Sequence, residues 1–334
     1  MKLFDCTLRD GANVVGNGFS KELTESMVKG LLECGIKDIE LGNAKGIGGY
    51  DQLGALAPLT DKEYMELVRP YSEKGRLGMF ILAKLTTEDR VKLAADNGLS
   101  FLRVGANAGD GMAAADAVRI VKAAGLTCRY SLMKAYVLSP DELAEEAKLL
   151  EAAGVDRITI MDSAGTMLPN DAAAYIIALK KAISIPVGFH GHSNLGMSQA
   201  NARAAFKAGA DEIDGGLLGM ARSAGNCATE LAIAILQRMG CFQDIDLYKL
   251  LSYLDSELIP AMAAYDYRPA VCPTDLILGL TGCHSSFLPV FKKIAAEKQV
   301  SLYRLITEVS AIDRKNPSEK LIIETADKIH LLNQ

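Results

Sequence analysis

Tryptophan is absent from this 334-residue chain, and histidine occurs only four times. Its seven cysteines (6, 34, 128, 227, 241, 272 and 283) are odd in number and never spaced as CxxC. That pattern excludes a disulfide framework and a zinc knuckle. No run approaches the ~20 apolar residues that span a bilayer, and the start, MKLFDCTLRDG, lacks an apolar signal core. Cationic excess is missing too: 36 Lys and Arg stand against 41 Asp and Glu, a formal charge of −5. Such a balance argues against a nucleic-acid or anionic-membrane partner. The expectation is a reduced, cytoplasmic protein. At 49% hydrophobic and 23% charged residues, the chain can bury a large core.

What is present is a rhythm. Short β-rich runs alternate with amphipathic stretches ending in Gly, with a period of about 20–30 residues. The strand candidates are LFDCTL (3–8), DIELGN (38–43), LGMFILA (77–83), SFLRVGA (100–106), CRYSLM (128–133), RITIMD (157–162), PVGFHGH (186–192) and DEIDGGL (211–217). Their centres read as continuous apolar runs, as parallel strands covered by helices would. Helices are expected over 20–35, with Ser20 as cap and Gly35 as stop, and over 139–154, with Ser139 as cap, Pro140 at the first turn and Gly154 as stop. The segments 110–125, 196–209 and 226–240 repeat the scheme.

Eight such units predict a TIM (βα)8 barrel over residues 1–240, since that fold needs roughly 250 residues. A doubly wound dinucleotide fold would place a glycine-rich turn after its first strand. Here Arg-Asp-Gly-Ala-Asn follows Leu8, and GIGGYDQLG (46–54) misses the last glycine of the fingerprint. Residues 241–334 show helical periodicity without strands, over DLYKLLSYLDSELIPAMAA, SSFLPVFKKIAAEKQ, SLYRLITEVSAI and SEKLIIETADKIH. They form a helical C-terminal domain, with AYDYRPAVCPTD (264–275) as a connecting loop.

Active sites of such barrels form at the C-terminal ends of the strands. His190 and His192 lie two apart at the end of strand 7, so both imidazoles point to one side. Asp10 from strand 1 can meet them. Two imidazoles and one carboxylate with open positions suit Mn²⁺, Mg²⁺ or Fe²⁺; the plain structural alternative is two core histidines satisfied by carbonyls. Arg9 offers planar donors for a carboxylate or enolate oxygen, or forms a salt bridge with Glu40. Asn226 is either a substrate contact or the N-cap of the last barrel helix. Asp162 and Ser163 either bind substrate or cap their turn. Cys227 reads as a small buried residue, Lys134 and Arg103 as a solvated rim, and Met262, Tyr265 and Tyr267 as core of the extension.

The ordered set TLRDG (7–11), IELG (39–42), GFHGHSNLG (188–196) and GMARSAGNCATE (219–230), with LGLTGCHSSFL (278–288) in the tail, resembles the DRE-TIM metallolyase superfamily, and within it the 4-hydroxy-2-oxovalerate aldolases. The resemblance implies metal ligands at Asp10, His190 and His192, an enolate-stabilising Arg9 and a strand-2 Glu40. It further implies Mn²⁺ or Mg²⁺, a small 2-oxo acid as substrate, and cleavage to pyruvate and an aldehyde. A homo-oligomer or an acylating aldehyde dehydrogenase partner is implied through the tail. The superfamily's acyl-CoA lyases and condensing enzymes (the 3-hydroxy-3-methylglutaryl-CoA lyase and isopropylmalate synthase types) are the alternative, as is a catalytically silent barrel acting as partner or sensor. Two positions depart from the aldolase pattern. Asn13 stands where the family carries a histidine base, and His284 where it carries a tyrosine. The paired change predicts that the acid–base role has moved to His284.

Overall fold

Each β-rich run becomes a parallel strand, and each amphipathic run returns the chain along the outside. The computed structural model describes residues 1–332. Strands β1 (Lys2–Asp5), β2 (Asp38–Leu41), β3 (Arg76–Leu82), β4 (Phe101–Asn107), β5 (Thr127–Met133), β6 (Arg157–Asp162), β7 (Val187–Gly191) and β8 (Glu212–Gly215) pair in sequence order. β8 returns to β1 in register from Lys2 with Glu212 to Asp5 with Gly215, which closes the barrel.

Helices α1 (Lys21–Glu33), α2 (Asp61–Val68), α3 (Glu88–Asp96), α4 (Gly111–Ala123), α5 (Pro140–Ala152), α6 (Pro169–Ala182), α7 (Ser198–Lys207) and α8 (Thr229–Gln237) form the outer ring. The caps are those the sequence signalled. Ser20 accepts from the Leu23 N–H, and Ser139 forms a reciprocal box with Glu142 behind Pro140.

The strands differ from the expected continuous apolar runs. Their outward positions are apolar, such as Ile39, Leu77, Leu102, Ile158 and Ile213, all buried beneath the helices. Many inward positions are charged or aromatic, among them Phe4, Asp38, Glu40, Phe101, Arg103, Arg129, Glu212 and Asp214. Arg103 of β4 reaches across the lumen to Asp214 of β8 and Thr159 of β6, each at 2.7 Å. Arg129 of β5 reaches Asp38 of β2 at 2.7 Å and Glu212 of β8 at 2.8 Å. Strands this far apart can touch only through the barrel interior. Both guanidinium groups stack on Phe4, at 4.5 and 4.4 Å from its centroid, and Arg129 also stacks on Phe101. Arg103, expected on a solvated rim, is therefore among the most buried side chains of the molecule.

The tail is helical, as expected, with one difference. α9 (Leu247–Tyr253) runs through a π-turn into α10 (Ile259–Ala263), and α11 (Pro273–Thr281), α12 (Leu288–Lys298), α13 (Leu302–Ile312) and α14 (Glu319–Leu332) follow. The expected loop at 264–275 is cut short, because α11 (Pro273–Thr281) starts inside it with Pro273 at its first turn. Tail and barrel share one hydrophobic core. Gly30 of α1 makes room for the Tyr253 ring, which a Cβ there would approach to 2.9 Å. All seven cysteines are free. Among the described residues, no helix is long and apolar enough to cross a membrane.

Arg103→Met keeps the volume but leaves Asp214 buried without its cation, while Glu40 retains Arg9. Unpairing a buried charge of this kind costs about 3–5 kcal/mol. We expect urea unfolding to show that loss as a lower midpoint with an unchanged slope. A loss of about 1 kcal/mol or less, as for a surface pair, would show that the lumen is not held by these ions.

Candidate active site

Past Asp5 the chain leaves β1 in a tight turn. The N–H groups of Arg9 and Asp10 both bond the Cys6 carbonyl. Asp5 accepts from the Thr7 N–H at 2.9 Å, and the Thr7 hydroxyl accepts from the Leu217 N–H at 2.7 Å. This turn aims Arg9 and Asp10 over the barrel mouth.

Asp10 Oδ2 lies 3.6 Å from His190 Nε2 and 3.6 Å from His192 Nε2. These atoms are too far apart for hydrogen bonds. The three donor atoms all lie within 4.8 Å of one another, close enough to be shared by one ion. The donor set therefore fits a hard divalent ion, with Asp10, His190 and His192 as candidate ligands.

Electrostatics favour that use. Burial alone would raise the Asp10 carboxyl, but the Arg9 guanidinium and the two imidazoles outweigh it and hold it well below the usual carboxylate range. Burial, helped by His190, pushes His192 down to about 4, so its ring is neutral at pH 7. Asp214, two positions into β8, is kept ionised against its burial chiefly by Arg103. It can then only accept, so His190 Nδ1 donates to it at 3.1 Å and Nε2 is the ring nitrogen turned toward Asp10.

Cys6, His190 and Asp214 also converge, but that grouping is spent. Asp214 Oδ2 already accepts from Arg103, and burial holds the Cys6 thiol well above its ordinary range.

Arg9 is held on two sides. Its Nε donates to Glu40 Oε2 at 2.6 Å and its Nη1 to Asp10 Oδ1 at 2.9 Å. The guanidinium lies 5.0 Å from the centroid of Phe80. Its Nη2 is buried without a hydrogen-bond partner, beside a cavity of about 250 Å³ whose walls include Asp10, both histidines, Ser163, Lys45, Lys134 and Arg222.

The remaining expected residues sort as follows. Ser163 is in the wall, with its Oγ accepting from the Lys134 N–H at 2.9 Å. Asp162 caps its turn, accepting from the N–H groups of Thr166 and Met167 at 3.0 Å each. Asn226 is not a helix cap, since α8 begins at Thr229 behind Ala228. It stands behind Asp10, donating from Nδ2 to Oδ2 at 2.9 Å. It is not among the residues walling the mouth cavity; what it holds is the Asp10 carboxylate. Cys227 is buried, its thiol pushed up to about 12 by burial.

The structure does not bring His284 to the mouth. The imidazole is exposed and bonds Ser286 in its own turn, with Nδ1 2.9 Å from Oγ. The end of α11 just before it lies against Ala234, Gln237 and Arg238, at the far end of α8 from Asn226. Barrel helices run opposite to the strands, so that end belongs to the face away from the mouth. The tail reaches the site's surroundings at Tyr267 instead, whose hydroxyl donates to the Leu218 carbonyl at 2.9 Å.

Sequence reasoning missed Asp214, Lys45 and Arg222. Asp214 had a signal, namely the alternation of charged and apolar residues along β8. The two cations had none, because only the loops' folding brings them to one cavity. Asp214→Asn should leave His190 loosely held and weaken Mn²⁺ binding by about 10–100-fold, measured by calorimetry. An unchanged affinity would show that Asp214 serves the lumen alone.

The model of the HMGL-like family matches residues 1–256. A 4-hydroxy-2-oxovalerate aldolase of Geobacillus genomosp. 3 is 32% identical over 330 residues, covering 98% of this chain and 97% of that protein. One of Carboxydothermus hydrogenoformans is 32% identical over 335 residues, covering 100% and 98%. Among solved structures, the Bacillus subtilis HMG-CoA lyase superposes with a TM-score of 0.64 at 16% identity, over 80% of this chain and 95% of that one. The carboxyl transferase domain of Rhizobium etli pyruvate carboxylase does so with 0.67 at 17% identity, over 98% and 59%. These two share the fold. With its barrel, its ordered mouth motifs and this match over most of its length, the chain belongs to the HMGL-like family.

Proposed function

We propose that this protein is a divalent-metal-dependent aldolase of the cytoplasm, cleaving a 4-hydroxy-2-oxo acid to pyruvate and an aldehyde. Residues 1–240 would be the catalytic barrel and 241–334 a helical domain built onto it. The full-length likeness to 4-hydroxy-2-oxovalerate aldolases supports the reaction class. The observation that carries the chemistry is Arg9. Two of its nitrogens are anchored on Glu40 and Asp10, and the third, Nη2, is buried with nothing to bond. An unsatisfied buried donor costs about 1–3 kcal/mol, which a substrate oxygen would recover.

Mn²⁺ or Mg²⁺, held by Asp10, His190 and His192, would supply Lewis-acid polarisation of the 2-oxo group. In cleavage the 4-hydroxyl loses its proton, C4 becomes an aldehyde carbon, and the electrons of the C3–C4 bond pass to the C2 oxygen. Arg9, fixed beforehand by Glu40, would offer Nη2 to that developing charge. Protonation at C3 then gives pyruvate. Asn13 donates to the Asp10 carbonyl at 2.8 Å and has no basic atom. With His284 outside the cavity, the 4-hydroxyl proton passes to solvent. The tail carries the partner side of this reading, a homo-oligomer or an acylating aldehyde dehydrogenase.

The test is pyruvate release across 4-hydroxy-2-oxo acids. Chelation should abolish it and Mn²⁺ or Mg²⁺ should restore it. Arg9→Ala should lower kcat by about 10²–10³-fold, the worth of one preorganised donor. Absence of metal-dependent pyruvate from every acid tried would contradict the aldolase reading and favour the silent barrel. His284→Ala should turn over at the wild-type rate, and a large loss there would return the tail to the chemistry.

A further inference from the structure

Three cations in the wall of the mouth cavity, Lys134 and Arg222 exposed at its rim and Lys45 half-buried, are left over once the proposed reaction is accommodated. A divalent ion and Arg9 together are met by Asp10, Glu40 and the single carboxylate of a simple 2-oxo acid. Lys45, Lys134 and Arg222 remain, and no ion pair holds any of them among the described residues.

They arrive from three sectors of the barrel, on the loops after β2, β5 and β8. Each is held there by its backbone. The Lys45 N–H donates to Asn43 Oδ1 at 2.9 Å, and Ile47 of the same loop is tied to the Phe80 carbonyl. Lys134 is a non-glycine residue in the left-handed region, at φ 53°, with its N–H pinned to Ser163 Oγ. Such conformations are uncommon outside glycine and gather at ligand clamps. Beside Arg222, Ser223 is also left-handed, at φ 59°, and its Oγ accepts from Asn194 Nδ2 at 2.7 Å.

Resting on the aldolase reading, we propose that the physiological substrate carries a second anionic group, a carboxylate or a phosphate, on the fragment that leaves as the aldehyde. Lys45, Lys134 and Arg222 recognise that group. The cavity, of about 250 Å³, is smaller than a drug-sized pocket of roughly 300–1,000 Å³, so a short dianionic acid fills it. The phosphates of an acyl-CoA do not match this arrangement. The uncharged pantetheine arm separates them from the acyl group by many bonds, whereas these cations share one small cavity with the ligand cluster.

The test uses the Mn²⁺-loaded enzyme and matched pairs. Pyruvate release is compared for 4-hydroxy-2-oxohexanoate, 4-hydroxy-2-oxoadipate and a terminal phosphate analogue. In parallel, 2-oxohexanoate and 2-oxoadipate are titrated by calorimetry, which needs no turnover. We expect kcat/KM and affinity to favour an anionic member by about tenfold or more, the scale of a charge-assisted contact. The larger of the two anionic responses distinguishes carboxylate from phosphate. Lys45→Met and Arg222→Met, made separately, should each shrink the anionic-to-neutral ratio.

A ratio near one in the wild type, with neutral acids cleaved well, overturns the proposal and leaves the aldolase reading standing. Tight binding of an acyl-CoA with no preference between the two 2-oxo acids overturns it in favour of nucleotide phosphates. Failure to cleave any acid removes the aldolase reading, and this proposal with it.

Discussion

The ion pair between Arg103 and Asp214 sits at the centre of this molecule, and the mouth chemistry is built upward from it. Asp214 Oδ2 accepts from the guanidinium at 2.7 Å and faces His190 Nδ1 at 3.1 Å. One carboxylate thus joins a barrel interior of charges to the first imidazole of the ligand cluster. A (βα)8 barrel filled with branched aliphatic side chains would have no means of choosing the tautomer of His190. Here the choice is forced, because an ionised Asp214 cannot donate. Desolvating such charges is expensive, and the gain in stability over an apolar lumen is small or negative. The return is orientation, with Arg103 and Arg129 locked between carboxylates and the faces of Phe4 and Phe101.

Above this layer the same device recurs at a smaller scale. Glu40 anchors Arg9 through Nε while its second oxygen stands 3.7 Å from Arg103, so the strand-2 carboxylate serves both guanidinium groups. Asn226 holds Asp10 from the other side. Arg9, Asp10 and His190 are thereby each oriented by a neighbour that would touch neither substrate nor ion, whereas His192 Nδ1 is buried without a partner. The tail enters by the same logic. Tyr267 bonds the carbonyl of Leu218, a left-handed residue in the loop after β8, and that loop also carries Arg222 and Asn226.

Much of this was readable in the chain. The βα rhythm, the caps at Ser20 and Ser139, and the i, i+2 spacing of His190 and His192 depend on neighbours in sequence, and the structure keeps them. The charge lattice was misread for an identifiable reason. Arg103 and Arg129 sit among apolar neighbours that mask them in a run, although the two-residue alternation in FLRVG and TCRYSLM separates inward from outward positions. α11 escaped because nine largely apolar residues give no clear helical period. His284 was placed at the mouth by a paired change in motif, yet where a tail residue lands depends on how α11 packs against α8 and α13. Lys45, Lys134 and Arg222 lie in loops far apart in sequence, and only barrel closure makes them neighbours.

The most direct measurement is a crystal structure of the Mn²⁺-loaded protein with oxalate, a planar mimic of the pyruvate enolate. The arrangement described here requires the ion on Asp10, His190 and His192, oxalate beside it, and Arg9 Nη2 within hydrogen-bond distance of an oxalate oxygen. An ion on Cys6, His190 and Asp214 instead, or an Arg9 Nη2 that stays unpartnered with oxalate bound, would contradict it.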